Sequence, residues 1–261
     1  MKNIKTLIIG LFFTGTLAFA QTEQPQSPKP QLGIELDVTW ASKYIWHGMD
    51  LYDDHAAFQP SINFDLFETG FSVNVWGSTA CSSGFVQSDE LDYSIAYQNS
   101  IFSETPLKTD YEIRWLYYDY FRISSDEGDS QELDLSLCWP EIFPFGLTAT
   151  YEISYLYTAK SGSPAARLDM EGFSHTFGLA YDCNVPQTDL PLTFVWDITY
   201  NDGQGGGDID HEWSYITWGL STSLDAGPGS LTPAAYYQTS MDDSVNDEDE
   251  FWVSMSYTIN F

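Results

Sequence analysis

The last eleven residues of the chain carry an apolar or aromatic side chain at every second position. This period of two is that of a β-strand, whose side chains alternate between two faces. The opposite face is polar apart from Trp252, and no turn residues follow the strand. The apolar face consists of Phe251, Val253, Met255, Tyr257, Ile259 and Phe261.

The same alternation recurs along the chain from residue 34 onward, and it predicts twelve strands. Pro233 weakens the eleventh because proline has no amide hydrogen to donate to a sheet, so a count that differs by one pair stays open. The predicted strands are Ile34–Trp46, Ala57–Leu66, Phe71–Ser78, Glu90–Gln98, Tyr111–Tyr118, Glu132–Trp139, Leu147–Tyr155, Phe173–Tyr181, Leu192–Tyr200, Tyr215–Leu224, Leu231–Tyr237 and Phe251–Phe261.

The N-terminal segment has the pattern of a secretory signal peptide. Lys2 and Lys5 precede a 15-residue apolar run that ends with Ala18-Phe-Ala20, a small-x-small cleavage site. A membrane anchor is the alternative, but the run is shorter than the ~20 residues that a spanning helix needs. We predict a signal peptide over residues 1–20, a disordered proline-containing tether over 21–32, and one folded unit over 33–261.

The charge of the chain excludes one class of partner. The net charge is −29, and removal of Lys2 and Lys5 with the signal takes it to −31. Such acidity repels phosphates, so we expect no nucleic acid partner. No stretch after residue 20 has the 18 or more apolar residues of a membrane helix, so a membrane protein of this composition must be a closed β-barrel.

Linker lengths distinguish a barrel from a soluble β-sandwich, whose strands also alternate. Linkers after even-numbered predicted strands are compact, apart from residues 99–109 and 182–191, whereas linkers after odd-numbered strands are longer and mostly acidic. Outer-membrane barrels have short periplasmic turns and long extracellular loops, and a sandwich has no reason to sort its loops by end. The long linkers are 49–55, 79–89, 119–131, 156–172, 201–213 and 238–250.

Aromatic residues cluster near the strand ends, as they do where a barrel meets the two membrane interfaces. We therefore predict an all-β, transmembrane, antiparallel up-and-down barrel of about 12 strands in the bacterial outer membrane, surrounded by lipids and lipopolysaccharide. The barrel assembly machinery is expected to read the terminal aromatic strand. The predicted girdles are Tyr44, Trp46, Trp115, Tyr117, Tyr155, Tyr200, Trp218 and Phe251 at the loop side, and Trp139, Tyr181 and Phe261 at the turn side.

One region carries a family resemblance. Ala41-Ser-Lys-Tyr-Ile-Trp-His-Gly48, Phe58-Gln-Pro60 and Gly70-Phe-Ser-Val-Asn-Val-Trp-Gly-Ser78 resemble the opening of the TorF-type porin family of Gram-negative bacteria. The resemblance covers roughly residues 41–78, and His47 stands where that family usually has arginine. It implies an outer-membrane barrel with a pore function.

The polar face of the predicted strands is strongly acidic. In a barrel this face lines the lumen, where rings of carboxylates favour cations. We expect a channel for small solutes with a cation bias; the alternatives are a plugged barrel, or a structural or adhesive barrel that acts through its acidic loops. The predicted lumen-lining residues are the acids Glu35, Asp37, Asp65, Glu90, Asp92, Glu112, Glu132, Asp134, Glu152 and Asp197 and the bases Lys43 and Arg114.

The acidic loops raise the question of a metal site. Asp208, Asp210 and Glu212 are weak candidates for Ca²⁺ or Mg²⁺, since both ions prefer oxygen ligands. No loop has the full spacing of a calcium-binding EF-hand, so solvated loop charge is the favoured interpretation and no cofactor is expected.

An outer-membrane lipid hydrolase is the rival from the enzyme class. Only His175 among four histidines lies on an apolar strand face, and its own strand offers no hydroxyl on that face. A hydroxyl from an adjacent strand stays open as a partner, but we expect no enzyme. Cys81, Cys138 and Cys183 allow at most one internal disulfide, and the predicted strand positions place the last two too far apart for one.

Overall fold

The computed structural model describes residues 31–160, 170–186, 188, 190–206 and 208–261, so the predicted signal peptide and nearly all of the tether lie outside the described residues. Across these ranges, no helix is long and apolar enough to cross a membrane. Two 3₁₀ turns, Val86–Ser88 and Pro144–Gly146, accompany the strands. The strands are β1 Gly33–Ala41, β2 Ile45–Trp46, β3 Met49–Asp50, β4 Ala57–Asp65, β5 Phe71–Ala80, β6 Glu90–Ile101, β7 Thr109–Asp119, β8 Ser130–Trp139, β9 Leu147–Thr158, β10 Gly172–Val185, β11 Leu190–Asp202, β12 Trp213–Ser221, β13 Leu224–Ala226, β14 Gly229–Ser240 and β15 Glu250–Asn260.

Twelve of these strands form a closed antiparallel barrel. Neighbours in sequence are neighbours in the sheet from β4 to β12, β12 pairs with β14, and β15 pairs with β1. Closure satisfies the backbone groups that an open sheet would leave at its edges. The predicted twelve-stranded, all-β, up-and-down barrel is confirmed.

The first and last strands seal the barrel and define its two ends. Glu35 is in register with Asn260, and the Phe261 amide donates a hydrogen bond of 2.9 Å to the Ile34 carbonyl. Both lie at the end where the connections are short, which we call the turn end; the opposite end, with the long linkers, is the loop end. The linkers at 99–109 and 182–191 shorten to 102–108 and 186–189, because β6 and β10 run further than predicted.

The outward face of the barrel is apolar and the inward face is polar, the reverse of a soluble protein. Aliphatic and aromatic side chains along the strands are exposed, including Leu36, Ile95 and Phe194, whereas many buried side chains are polar or charged. In β15 the predicted apolar face points outward: Phe251, Val253, Met255 and Phe261 are exposed, and Tyr257 and Ile259 are half-buried.

The first predicted strand is wrong in its second half. β1 ends at Ala41, and Tyr44 and Trp46 are buried inside the barrel instead of lying in the outer aromatic girdle. Trp46 belongs to a second extended piece, β2, and Tyr44 directly precedes it, so their alternation continues the period of two of β1. A tight turn at His47-Gly48 then returns the chain through β3.

Candidate functional site

The inward face of the barrel wall collects the acidic side chains that the sequence predicted for it. Cross-strand pairs show the shared face: Glu112 lies opposite Ser136, Arg114 opposite Asp134, and Glu152 opposite Thr176. The ten predicted acids divide by burial. Glu90, Asp92, Glu132, Asp134, Glu152 and Asp197 are buried, Glu35, Asp37 and Glu112 are half-buried, and Asp65 is exposed at the turn end.

Three further acids share this face and were missed. Asp110, Asp182 and Glu250 each lie one residue outside a predicted strand boundary, and their cross-strand partners are Cys138, Thr193 and Gln238. The alternation itself would have found them if the predicted strands had been extended by one residue.

Few bases oppose these carboxylates. The Arg114 Nε and Nη2 atoms both donate to Asp134 Oδ2, at 3.0 and 2.8 Å, in a buried ion pair. Lys108 lies 3.3 Å from Asp110 near the turn end. The carboxylate of Asp92 is 4% exposed, and neither of its oxygens has a hydrogen-bond partner among the described residues. The described wall therefore carries a large excess of negative charge.

The connection from β1 to β4, residues 42–56, folds into the lumen at the loop end, and we call it the plug. It contains the β2–β3 hairpin and buries Tyr44, Trp46 and Tyr52 against wall residues that include Tyr118. The rings of Trp46 and Tyr118 meet edge to face, 5.8 Å apart. Aromatic rings in this geometry add to the stabilisation from burial alone.

Hydrogen bonds hold one side of the plug to strands β5, β6 and β8. The Tyr44 hydroxyl donates to Glu90 Oε1 at 2.5 Å, and the Tyr52 hydroxyl donates to Ser78 Oγ at 2.9 Å. At the tip, His47 Nε2 lies 3.2 and 3.3 Å from the two carboxylate oxygens of Glu132. The plug thus binds carboxylates that would otherwise face an open lumen.

The tip also reaches the opposite wall. The Gly48 carbonyl accepts hydrogen bonds from Gln238 Nε2 at 2.8 Å and from Asn246 Nδ2 at 3.0 Å. The Tyr215 ring packs directly against Gly48. Because Glu132 is on β8 and Gln238 is on β14, the hairpin spans the lumen from one wall to the other.

Lys43 anchors the base of the plug. The prediction that it belongs to a barrel strand is wrong, because β1 ends at Ala41. Its ammonium bonds Glu250 Oε2 at 2.5 Å and also contacts Asp54. Burial lowers the pKa of Lys43, but the hydrogen bonds to these two carboxylates outweigh burial and raise the pKa above its ordinary value. Lys43 therefore stays charged and ties the plug to β15.

The burial of the wall acids differs along the lumen. Beside the plug, Glu90 and Glu132 are 2% and 1% exposed, and the wall is tightly packed. Toward the turn end, Glu35, Asp37 and Glu112 are half-buried and accessible to water. Chemically, this arrangement is an acidic vestibule below a polar and aromatic constriction.

Among the described residues, two groups of carboxylates near the loop end have the spacing of a metal site. Asp50, Asp54 and Glu250 form the first, but the Lys43 ammonium already contacts two of them. The second joins Asp210 and Glu212 with Asp242 from the next long loop. The predicted candidate Asp208 is exposed and is not in this group. Asp242 was not predicted, because the sequence could not show that it lies beside Asp210 and Glu212.

His175, the histidine considered for the enzyme alternative, lies among aromatic side chains on the outward face. Its Nδ1 atom is 2.8 Å from the Tyr151 hydroxyl on β9, and Phe173 and Tyr200 flank its ring. The hydrogen-bonded hydroxyl is the phenol of a tyrosine on the neighbouring strand.

Comparison with solved structures identifies outer-membrane barrels of the same fold. The KdgM porin matches with a TM-score of 0.52 and 12% identity, over 85% of this chain and 98% of that one. The NanC porin matches with a TM-score of 0.51 and 11% identity, over 86% and 98%. An outer membrane channel from Pseudomonas putida F1 gives 0.50 and 8%, over 90% and 97%. No family model and no curated protein sequence matches the chain.

Proposed function

We propose that this chain is an outer-membrane channel that passes small solutes, favours cations and is narrowed at the loop end by the plug. The observation that carries the proposal is the acidic inward face, in a barrel whose fold is that of porin-type channels. The resemblance of residues 41–78 to TorF-type porins agrees with it. In this proposal the signal peptide is removed near Ala20, and the assembly machinery inserts the barrel among lipids and lipopolysaccharide.

The physical reason for a cation bias is the field of the vestibule. A permeating ion passes within one Debye length, about 8 Å at physiological ionic strength, of several wall carboxylates. A narrow channel with low-dielectric walls screens such charges poorly. Glu35, Asp37 and Glu112 are half-buried wall acids that water reaches, and they lie toward the turn end, away from the plug.

The test is ion selectivity in a planar bilayer. The triple variant Glu35→Gln, Asp37→Asn, Glu112→Gln removes three charges with little change in volume. We expect the wild-type channel to be cation-selective in a KCl gradient and the reversal potential of the variant to move toward zero.

The matched control removes the same charge outside the lumen. Glu68, Glu104 and Glu141 are exposed in three turn-end connections, and their replacement by glutamine should leave the reversal potential nearly unchanged. An anion-selective wild-type channel, or equal shifts in the two triple variants, would contradict the assignment of the vestibule as the selective path.

A non-conducting barrel is the second candidate, and the plug is the observation that favours it. The two candidates differ after excision of the plug. If neither the full chain nor the barrel without its plug conducts, the channel proposal fails and a structural or adhesive role is favoured.

A further inference from the structure

The second carboxylate group joins two long loops above the barrel. Asp210 and Glu212 belong to the connection before β12, and Asp242 belongs to the connection between β14 and β15. One carboxylate oxygen from each of the three residues lies within 4.8 Å of the other two. The Asp210 amide also donates to Ser244 Oγ at 2.9 Å, so the loops are in direct contact at this point.

Asp242 has an oxygen that no described group satisfies. The residue is 3% exposed. Its Oδ1 atom accepts hydrogen bonds from the amide and the hydroxyl of Ser244, at 2.8 and 2.7 Å, whereas its Oδ2 atom is buried and has no hydrogen-bond partner among the described residues. A buried carboxylate oxygen without a partner is costly, and a bound cation would remove that cost.

No described basic side chain supplies that cation. The described lysines and arginines contact other carboxylates, and His211 contacts Asp202. The group at Asp50, Asp54 and Glu250 shows the difference, because there the Lys43 ammonium occupies the position between carboxylates. The other basic contacts are Lys108 with Asp110, Arg114 with Asp134, Arg122 with Asp89, and Lys160 with Asp126.

We propose that Asp210, Glu212 and Asp242 bind a divalent cation of the Ca²⁺ type and clamp the two loops together. Ca²⁺ accepts six to eight oxygen ligands in flexible geometry, so three carboxylates plus backbone carbonyls and water suit it better than Mg²⁺, which requires a near-ideal octahedron. Sites of this kind on extracellular modules bind Ca²⁺ with dissociation constants of roughly 10⁻⁴–10⁻³ M.

The clamped loops hold the tip of the plug. Asn246, four residues after Asp242, donates to the Gly48 carbonyl, and the buried Val245 packs against Gly48. On the other loop, Gln204 Nε2 lies 3.5 Å from His47 Nε2. The cation therefore stabilises the closed position of the plug. This second step rests on the proposed channel function, whereas the metal site does not.

Terbium luminescence tests the site directly. Tb³⁺ replaces Ca²⁺ at oxygen sites, and Trp213 follows Glu212 in the chain and can transfer excitation energy to a bound ion. With the refolded full chain, we expect Tb³⁺ emission on tryptophan excitation and its displacement by Ca²⁺. Asp242→Asn keeps the oxygen that accepts hydrogen bonds from Ser244 but removes the charge, so it should weaken Ca²⁺ binding about tenfold or more. Glu212→Gln, at an exposed position, should weaken Ca²⁺ binding to the same extent.

Asp208→Asn and Asp243→Asn are the matched controls, since both residues are exposed in the same two loops and lie outside the group. Their Ca²⁺ affinity should equal that of the wild type. Absence of sensitised emission, or equal affinity in Asp242→Asn, Glu212→Gln and the controls, would overturn the site.

Conductance tests the coupling to the plug. Chelation of divalent cations should raise the conductance of the wild-type channel and have little effect on Asp242→Asn. If Ca²⁺ binds at the site but chelation leaves the conductance unchanged, the coupling between the site and the plug is overturned and the metal site stands. A barrel that binds Ca²⁺ and conducts under no condition would instead contradict the proposed channel function.

Discussion

At the scale of single residues, the turn at the tip of the plug is tightly constrained. His47 and Gly48 have φ values of 45° and 88°, which is the left-handed pair that a two-residue type I′ hairpin requires. A Cβ atom built on Gly48 would lie 2.5 Å from the Tyr215 ring. Glycine is therefore required here twice, for backbone conformation and for contact with the far wall.

Gly48→Ala should displace the tip of the plug and raise single-channel conductance. The left-handed conformation costs an alanine about 1–2 kcal/mol, and the clash with Tyr215 adds to this cost, while the strands are untouched. Conductance in a planar bilayer is the measurement, with urea unfolding to verify the barrel.

Gly84→Ala is the control for this prediction, because Gly84 has a φ of 111° but a Cβ there would meet nothing within 4 Å. It should carry the backbone cost without opening the lumen. Equal conductance changes in the two variants would show that the contact with Tyr215 does not hold the plug.

At the scale of elements, each strand has a lipid face and a lumen face that differ by one residue. Ile95 is 44% exposed near the middle of β6, and its cross-strand neighbours are Val73 and Trp115. Ser94 points inward beside Asn74. A shift of phase by one residue would exchange these roles.

Ile95→Lys should cost about 2–4 kcal/mol of barrel stability, because the charge enters the membrane near its midplane. Ser94→Lys should be tolerated in the water-accessible, acidic lumen. Val253→Lys should cost less than Ile95→Lys, since Val253 lies only three residues from the loop end of β15. Unfolding titrations in lipid vesicles measure all three, and equal costs at Ile95 and Ser94 would contradict the facing of β6.

At the scale of the whole molecule, the barrel and the plug are separate structural units. The twelve barrel strands close on one another without β2 or β3, which form a two-stranded sheet of their own. The plug adds burial inside the lumen, and full burial of a large apolar side chain contributes roughly 1.5–3 kcal/mol. The barrel should therefore form without the plug, with lower stability.

Replacement of residues 43–55 by a short Asn-Gly turn should leave a folded barrel whose conductance is severalfold higher. The physical reason is that the hairpin spans the lumen from Glu132 to Gln238 and its removal frees that cross-section. Heat-modifiable migration in gels checks folding, and bilayer recordings check conductance. A folded variant with unchanged conductance would show that the plug does not limit permeation.

The sequence alone determined the barrel, its approximate strand count, the facing of its strands and the sorting of its loops. These features follow from a local period of two and from the requirement that every backbone group be satisfied in a membrane, and both can be read along the chain. The acidic inward face followed from the same phase. The three missed acids lay only one residue beyond the predicted boundaries.

Only the tertiary structure decided where residues 42–56 go and which loop carboxylates meet. The alternation of Tyr44 and Trp46 is the same whether they continue a wall strand or enter the lumen, because a period of two does not say which sheet a strand joins. At the tip of the plug, His47 and its partner Glu132 are 85 residues apart, and Gly48 and its partner Gln238 are 190 residues apart. Asp242 likewise reaches Glu212 because the pairing of β12 with β14 places the loop ends of these two strands side by side, and contacts of that kind depend on packing in three dimensions.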